Sequence, residues 1–182
     1  MSIEEKLEKF KKDVDILSPL EVVRKYITYG NTHVFDENKY YDLKNVVSDQ
    51  FDIHPSQVII VGSGKLGFSI YENRSRNPPK YRYRSFSDNS DIDVAIVSDK
   101  LFDKVWEEVF EFYLDKGLWD KGSEFSKYLF QGWIRPDKLP NSKVFEFSNT
   151  WWEFFRELTK SEEFGPYKIS AGLYKSWYYL EK

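Results

Sequence analysis

Apolar residues Ile3, Leu7, Phe10, Val14 and Leu17 recur every three or four positions, the spacing of one helical face. Ser18-Pro19-Leu20-Glu21 has the form of a capping box with proline at the first helical position. The helix it opens, with Val23, Tyr26 and Ile27, is expected to stop at Gly30. A third helix is expected over 37–51, with Tyr40, Leu43, Val47 and Phe51 on one face and Asp36 as its cap. The character then changes. Gln57-Val58-Ile59-Ile60-Val61 is short and β-branched between Pro55 and Gly62, and reads as a buried strand. Ile92-Asp93-Val94-Ala95-Ile96-Val97 reads as a second. The polar segment of about 25 residues between them is long for a plain connection, so it is expected to hold a hairpin or carry function. Asp99 is expected to cap the clearest helix, in which Leu101, Phe102, Val105, Trp106, Val109, Phe110 and Tyr113 recur up to Gly117. A shorter helix near 122–130 follows, then breaks at Pro136 and Pro140 and a third strand over 143–147. Helices are expected over 151–159 and 168–181, the last with Ile169, Leu173, Trp177 and Leu180 on one face. The predicted fold class is α+β in a single domain: N-terminal helices (1–54), a small mixed sheet (55–147) and C-terminal helices (148–182).

Composition supports a packed domain. The chain has 182 residues, 41% of them hydrophobic, with 15 Phe, 13 Tyr and 6 Trp, enough to build a core and exclude general disorder. The 27 basic and 30 acidic residues leave a net charge of −3, which argues against a nucleic-acid coat protein but not against a local basic patch. The absence of cysteine excludes disulfides, cysteine zinc sites and thiol nucleophiles. The two histidines, His33 and His54, leave little for a histidine metal site. No apolar run approaches the ~18 residues that span a bilayer, and the charged start MSIEEKLEKFKK lacks a signal-peptide stretch. A cytoplasmic protein with no membrane partner is expected.

Candidate chemistry lies at the ends of the two strands. Side chains alternate along a strand, so Asp91 and Asp93 point to one face while Ile92 and Val94 anchor the other. Two adjacent carboxylates repel, and ionising both is costly unless a cation joins them. Hard oxygen ligands suit Mg²⁺, which takes one or two carboxylates plus substrate phosphates. Gly62-Ser63 supplies the complementary half, because glycine lets backbone approach a phosphate closely.

Val61-Gly62-Ser63 after a strand, followed by Ser90-Asp91-Ile92-Asp93-Val94 opening a second, resembles the signature of the polymerase-β-type nucleotidyltransferases, with the minimal bacterial members nearest in size. The resemblance covers about 58–116 and implies a sheet of the nucleotidyltransferase type. It also implies transfer of a nucleoside monophosphate from an NTP to RNA, a protein hydroxyl or a small molecule. Asp91 and Asp93 would hold Mg²⁺ (or Mn²⁺), and Gly62, Ser63, Lys65, Ser69 and Ser90 would lie on the nucleotide. The 27-residue spacer between Ser63 and Asp91 exceeds the family's usual spacing and implies an insertion over 71–87. The family uses a third carboxylate on a later strand. Glu146, in Val144-Phe145-Glu146-Phe147, is the leading catalytic candidate and Asp137 the second. Without a third acid the same fold would serve as an inactive nucleotide-binding or protein-interaction module. By family analogy such a module is one partner of a bacterial defence or toxin–antitoxin pair. A homodimer or protein partner is expected to complete the cleft.

Rival signals are weaker. Gly62-Ser63-Gly64-Lys65-Leu66-Gly67 satisfies the dinucleotide-binding pattern, but that reading needs a helix at these glycines and more strands than follow. A Walker A loop fails, since no Ser or Thr follows Lys65. A Ser–His–Asp triad with His33 or His54 has no local support. Residues 71–87 hold Arg74, Arg76, Lys80, Arg82 and Arg84 against one acid, Glu72. Strand alternation would put Lys80, Arg82 and Arg84 on one face and Tyr81, Tyr83 and Ser85 on the other. This segment is either an exposed hairpin whose tyrosines pack on the core or a clamp for triphosphate or nucleic acid. The late aromatics Trp133, Trp151, Trp152, Tyr174, Trp177 and Tyr178 read as core or interface packing.

Overall fold

A computed structural model describes residues 2–182. Helix α1 (Ile3–Ile16) opens on a capping box between Ser2 and Glu5. Helix α2 (Pro19–Val23) opens on the expected box between Ser18 and Glu21 and runs into a π-helical turn, Arg24–Thr28, that ends before Gly30. Helix α3 (Glu37–Phe51) is capped by Asp36 as expected. Strand β1 (Val58–Val61) leads straight into a five-residue helix, α4 (Gly62–Leu66). Strand β2 (Ile92–Val97) precedes α5 (Asp99–Lys116) and α6 (Gly122–Phe130). Strand β3 (Trp133–Ile134), helix α7 (Glu146–Lys160), strand β4 (Ile169–Tyr174) and helix α8 (Trp177–Leu180) follow. Among the described residues no helix is long and apolar enough to cross a membrane.

The four strands form one mixed sheet in the order β1-β2-β4-β3, with β2 and β4 parallel and the outer pairs antiparallel. Register sorts the side chains into two faces. Val58 and Ile60, Ile92, Val94 and Ile96, Ile169 and Leu173, and Ile134 share one face. That face packs on Leu43 and Val47 of α3, Phe102, Val105 and Val109 of α5, and Trp151 and Phe155 of α7. Burying each Ile, Leu or Val side chain contributes about 1.5–3 kcal/mol, so this layer dominates the folding energy. A satellite cluster of Phe10, Leu66 and Phe68 seats α1 and the π turn beside α4.

Several expectations are corrected. The cap of α5 is Ser98, whose hydroxyl accepts from the Leu101 amide; Asp99 is the first helical residue. Residues 143–147 are not a strand. The Val144 and Phe145 amides turn back onto the Asn141 carbonyl, and α7 begins at Glu146, five residues before the expected start. The third strand is instead the two-residue β3. Within 168–181, residues 169–174 are strand and only 177–180 are helix, and the sheet therefore extends beyond residue 147. Ile169 and Leu173 are four apart, a spacing that shares one face in a helix and in a strand alike. The arbiter is Gly172: a Cβ there would lie 2.6 Å from Trp133 Nε1, so the glycine makes room for the indole of β3. The basic segment does fold back, through isolated bridges Phe68↔Ser85 and Asn73↔Lys80, but it forms no regular hairpin. Tyr83 adopts φ +66°, which breaks the extended run and with it the expected alternation. Tyr83 packs on Phe10 and Phe68 while Tyr81 stays exposed.

Gly172→Ala tests the strand directly. The added methyl displaces Trp133 and lowers stability by about 1–3 kcal/mol. In a helix the same change would raise it by up to ~1 kcal/mol. Urea denaturation followed by far-UV circular dichroism separates the two outcomes.

Candidate functional site

Register places Val61 of β1, Asp93 of β2 and Ser170 of β4 in one row on the open face of the sheet. Gly62, with φ +63°, turns the chain out of β1 into α4. A Cβ on Gly62 would lie 3.2 Å from Asp93 Oδ2, so the glycine backbone lies close against the carboxylate. On the other flank the Ser170 hydroxyl donates to Asp93 Oδ1 at 3.3 Å.

A cavity of about 290 Å³ opens at Asp93, on the Gly62 side of this row. It gathers Gly62, Ser63, Ser69, Ser90, Asp91 and Asp93, six of the residues singled out in the sequence. Its far wall holds Tyr71, Lys80 and Arg84 from the basic segment. That wall is tied down from both sides: the Ser69 amide donates to the Arg84 carbonyl at 2.9 Å and the Tyr83 amide to the Ser69 carbonyl at 2.6 Å. Arg84 Nη1 donates to the carbonyls of Tyr71 (3.2 Å) and Tyr81 (3.1 Å), which fixes the guanidinium at the rim. Two cations thus face two carboxylates across a small polar cleft.

Burial pushes the Asp93 carboxyl above its ordinary range, the Ser170 hydrogen bond opposes the shift, and the Asp91 charge adds to it. Asp93 forms no ion pair among the described residues, although Lys168 is near enough to ease its charge. A second cavity of about 430 Å³ lies on the other side of Asp93, walled by Trp133, Arg135, Asp137, Trp152, Ser170 and Tyr174. Burial, reinforced by the Asp93 charge, pushes the Tyr174 phenol up to about 12. The Trp133 and Tyr174 rings stack at 5.5 Å, and the Arg135 guanidinium lies 5.2 Å over Trp133.

Two candidates fall elsewhere. Lys65 is 2% exposed, and its ammonium donates to the Gly30 carbonyl under α4 instead of entering the cleft. Glu146 is the first residue of α7 rather than part of a strand, and it lines neither cavity. Asp137, the second choice for a third acid, reaches the larger cavity, but Arg135 holds both its oxygens (3.0 and 3.2 Å) and Lys138 lies 3.5 Å away. Among the described residues no group of three or more His, Cys, Asp or Glu is arranged to hold a metal ion. Ser170 occupies the position across from Asp93 on the neighbouring strand. The helical reading of 168–181 hides Ser170 and Tyr174; period-two alternation of Ser170, Gly172 and Tyr174 against Ile169 and Leu173 is the signal that marks them. Comparison with protein-family models, with curated proteins and with solved structures found no match to this chain.

The buried lysine beneath the cleft has a measurable signature. Burial, with the charges of Lys44 and Lys6 adding, pushes Lys65 from 10.5 down to about 8. The unfolded chain therefore binds more protons between pH 8 and 10.5, and this group's contribution to stability rises with pH through that window. Below pH 8 the penalty is present in full. Lys65→Met is expected to be more stable than the parent by roughly 2 kcal/mol at pH 7, an advantage that shrinks towards pH 10. Parallel urea titrations at pH 7, 8, 9 and 10 measure it; a constant difference would refute the assignment.

Proposed function

We propose that the chain is a nucleotidyltransferase of the polymerase-β type, moving a nucleoside monophosphate from an NTP to a hydroxyl acceptor. The observation that carries this reading is the single cleft in which the Gly62-Ser63 turn, the Asp91 and Asp93 carboxylates, and the Lys80 and Arg84 cations converge. The donor set suits a hard divalent cation. Asp93 is solvent-accessible at the cleft, sits beside Asp91 and has only a serine hydroxyl bonded to it, an arrangement in which a shared Mg²⁺ or Mn²⁺ relieves the repulsion. Bound there, the ion would supply the Lewis acidity that offsets phosphate charge and acidifies an acceptor hydroxyl.

The chain's own residues supply the remaining roles. Lys80 and Arg84 offset the negative charge of the outer phosphates, and Arg84 is already fixed for that task by two carbonyls. Gly62 lets phosphate oxygens approach the backbone without a side chain in the way, and the Ser63 and Ser90 hydroxyls offer donors at the same rim. Ser170 holds the Asp93 carboxylate in one orientation. The acceptor hydroxyl gives its proton to water as its oxygen attacks the α-phosphorus in line, the new O–P bond replaces the bond to the bridging oxygen, and pyrophosphate leaves towards Lys80 and Arg84. The cavity on the far side of Asp93 is open to the acceptor.

A second reading rests on a specific observation. Ser170, not an acid, faces Asp93 across β4, and no three-acid group is present among the described residues. That arrangement favours nucleotide binding without turnover.

The first test uses α-³²P-labelled NTPs with Mg²⁺ and a cell extract as the source of acceptors. Asp93→Ala is expected to lower label transfer by at least about a hundredfold. Equal transfer by parent and variant would refute the enzyme, and tight binding of ATP·Mg²⁺ without any transfer would establish the binding module. A second test concerns the basic wall. Lys80→Ala and Arg84→Ala are each expected to weaken ATP·Mg²⁺ binding about tenfold in calorimetry, from the loss of one charge-assisted contact. Arg82→Ala, whose side chain lies outside the cleft, leaves it unchanged.

A further inference from the structure

Helix α5 is apolar on two faces. Its inner stripe, Leu101, Phe102, Val105 and Val109, is buried in the core. Its outer stripe consists of Trp106, Phe110, Tyr113 and Leu114, continued by Leu118 beyond the helix end. Phe110 is 52% exposed, Leu114 62% and Leu118 74%. Single exposed apolar residues are ordinary, but four at one helical spacing with Leu118 beyond them form a continuous ridge, and such patches mark interaction sites.

Two hollows flank the ridge at Trp106 and Phe110. The one towards α6, about 220 Å³, has Trp119, Phe125 and Leu129 on its floor. The one on the opposite flank, about 550 Å³, is lined by Asp103, Glu107 and Glu111. Asp103 is paired with Lys175 at 2.5 Å. Glu107 and Glu111 make no ion pair among the described residues, so the hollow presents two uncompensated carboxylates beside the apolar ridge.

We propose that this ridge docks an amphipathic helix of another protein, with apolar side chains straddling Trp106 and Phe110 and Lys or Arg side chains over Glu107 and Glu111. Charge complementarity selects the occupant. A purely apolar partner would desolvate Glu107 and Glu111 without compensation, whereas a cationic flank neutralises them. A second copy docked through the same ridge would add a second set of the same unpaired glutamates to the interface. Apolar anchors at i, i+3, i+4 and i+7 match the spacing of the ridge, as in helix-in-groove recognition. The surface belongs to a helix on the core face of the sheet, opposite the nucleotide cleft, so the proposal stands whether or not the nucleotidyltransferase reading does.

The probe is a synthetic amphipathic peptide of about 18 residues, Leu on one face and Lys on the other, against a Leu/Glu peptide of the same pattern. Calorimetry with the full chain is expected to give micromolar binding of the Leu/Lys peptide and at least about tenfold weaker binding of the Leu/Glu peptide. Trp106→Ser weakens the Leu/Lys peptide about tenfold or more, and the double variant Glu107→Lys, Glu111→Lys reverses the preference between peptides. Trp106 is 48% and Phe110 52% exposed, so each serine variant lowers the melting temperature a little while the double glutamate variant leaves it unchanged. Phe110→Ser gives the same reading should Trp106→Ser fail to fold. Equal affinity for both peptides, binding of neither, or Leu/Lys binding that survives both serine variants overturns the proposal. So does a parent dimer in light scattering that Trp106→Ser dissociates, because the occupant is then a second copy.

Discussion

The row Val61–Asp93–Ser170 across three strands is the constraint on which the open face depends. It forms because Ile92, Val94 and Ile96 must all face the core, and a shift of one residue would turn every one of them outward. Core burial thus decides where Asp93 sits. The carboxylate is then fixed between a glycine turn that leaves no room for a side chain and a hydroxyl from the parallel neighbour. The aliphatic layer stabilises the sheet strongly enough to hold two neighbouring carboxylates at its edge, where each charge opposes the other. Natural proteins accept that kind of local loss where ligands bind, because groups held in a poor environment gain most from a partner.

A similar tension appears beneath the cleft. Lys65 is buried with a single carbonyl partner and with other cations nearby. The buried cation under α4 and the Asp93 carboxylate in front of Gly62 flank the same short helix, which is also held by Gly67 at φ +90°. The geometry around the Gly-Ser turn is therefore set by packing from several sides: the satellite cluster behind it, the basic wall over it and β2 beside it.

Much of the helical scaffold was legible because long stretches keep one period: α1, α3, α5 and α6 match their apolar patterns, and the capping residues Ser18 and Asp36 act as read. Strands β1 and β2 were legible from β-branched runs, whereas β4, the other central strand, was not. The site was legible in part, since Gly62, Ser63, Ser69, Ser90, Asp91 and Asp93 share one cleft. The failures have specific causes. Ile169 and Leu173 fit both periods, and the choice between them is made by Trp133, more than thirty residues away, packing over Gly172. Glu146 was placed by alternation in a segment too short to test it, and the Asn141 turn overrides that pattern. Lys65 looked like a phosphate ligand because composition says nothing about which side of a five-residue helix faces the cleft.

The order β1-β2-β4-β3 has a temporal consequence. Asp93 and the serine that steadies it are 77 positions apart along the chain. Until residues 169–174 arrive, β2 is paired on one side only and offers a bare, strongly apolar edge, the kind that recruits foreign strands. Contacts of such long loop span form late and slowly. The Asp93–Ser170 contact is thereby made only when β4 closes the sheet, and the same closure removes the edge most open to aggregation.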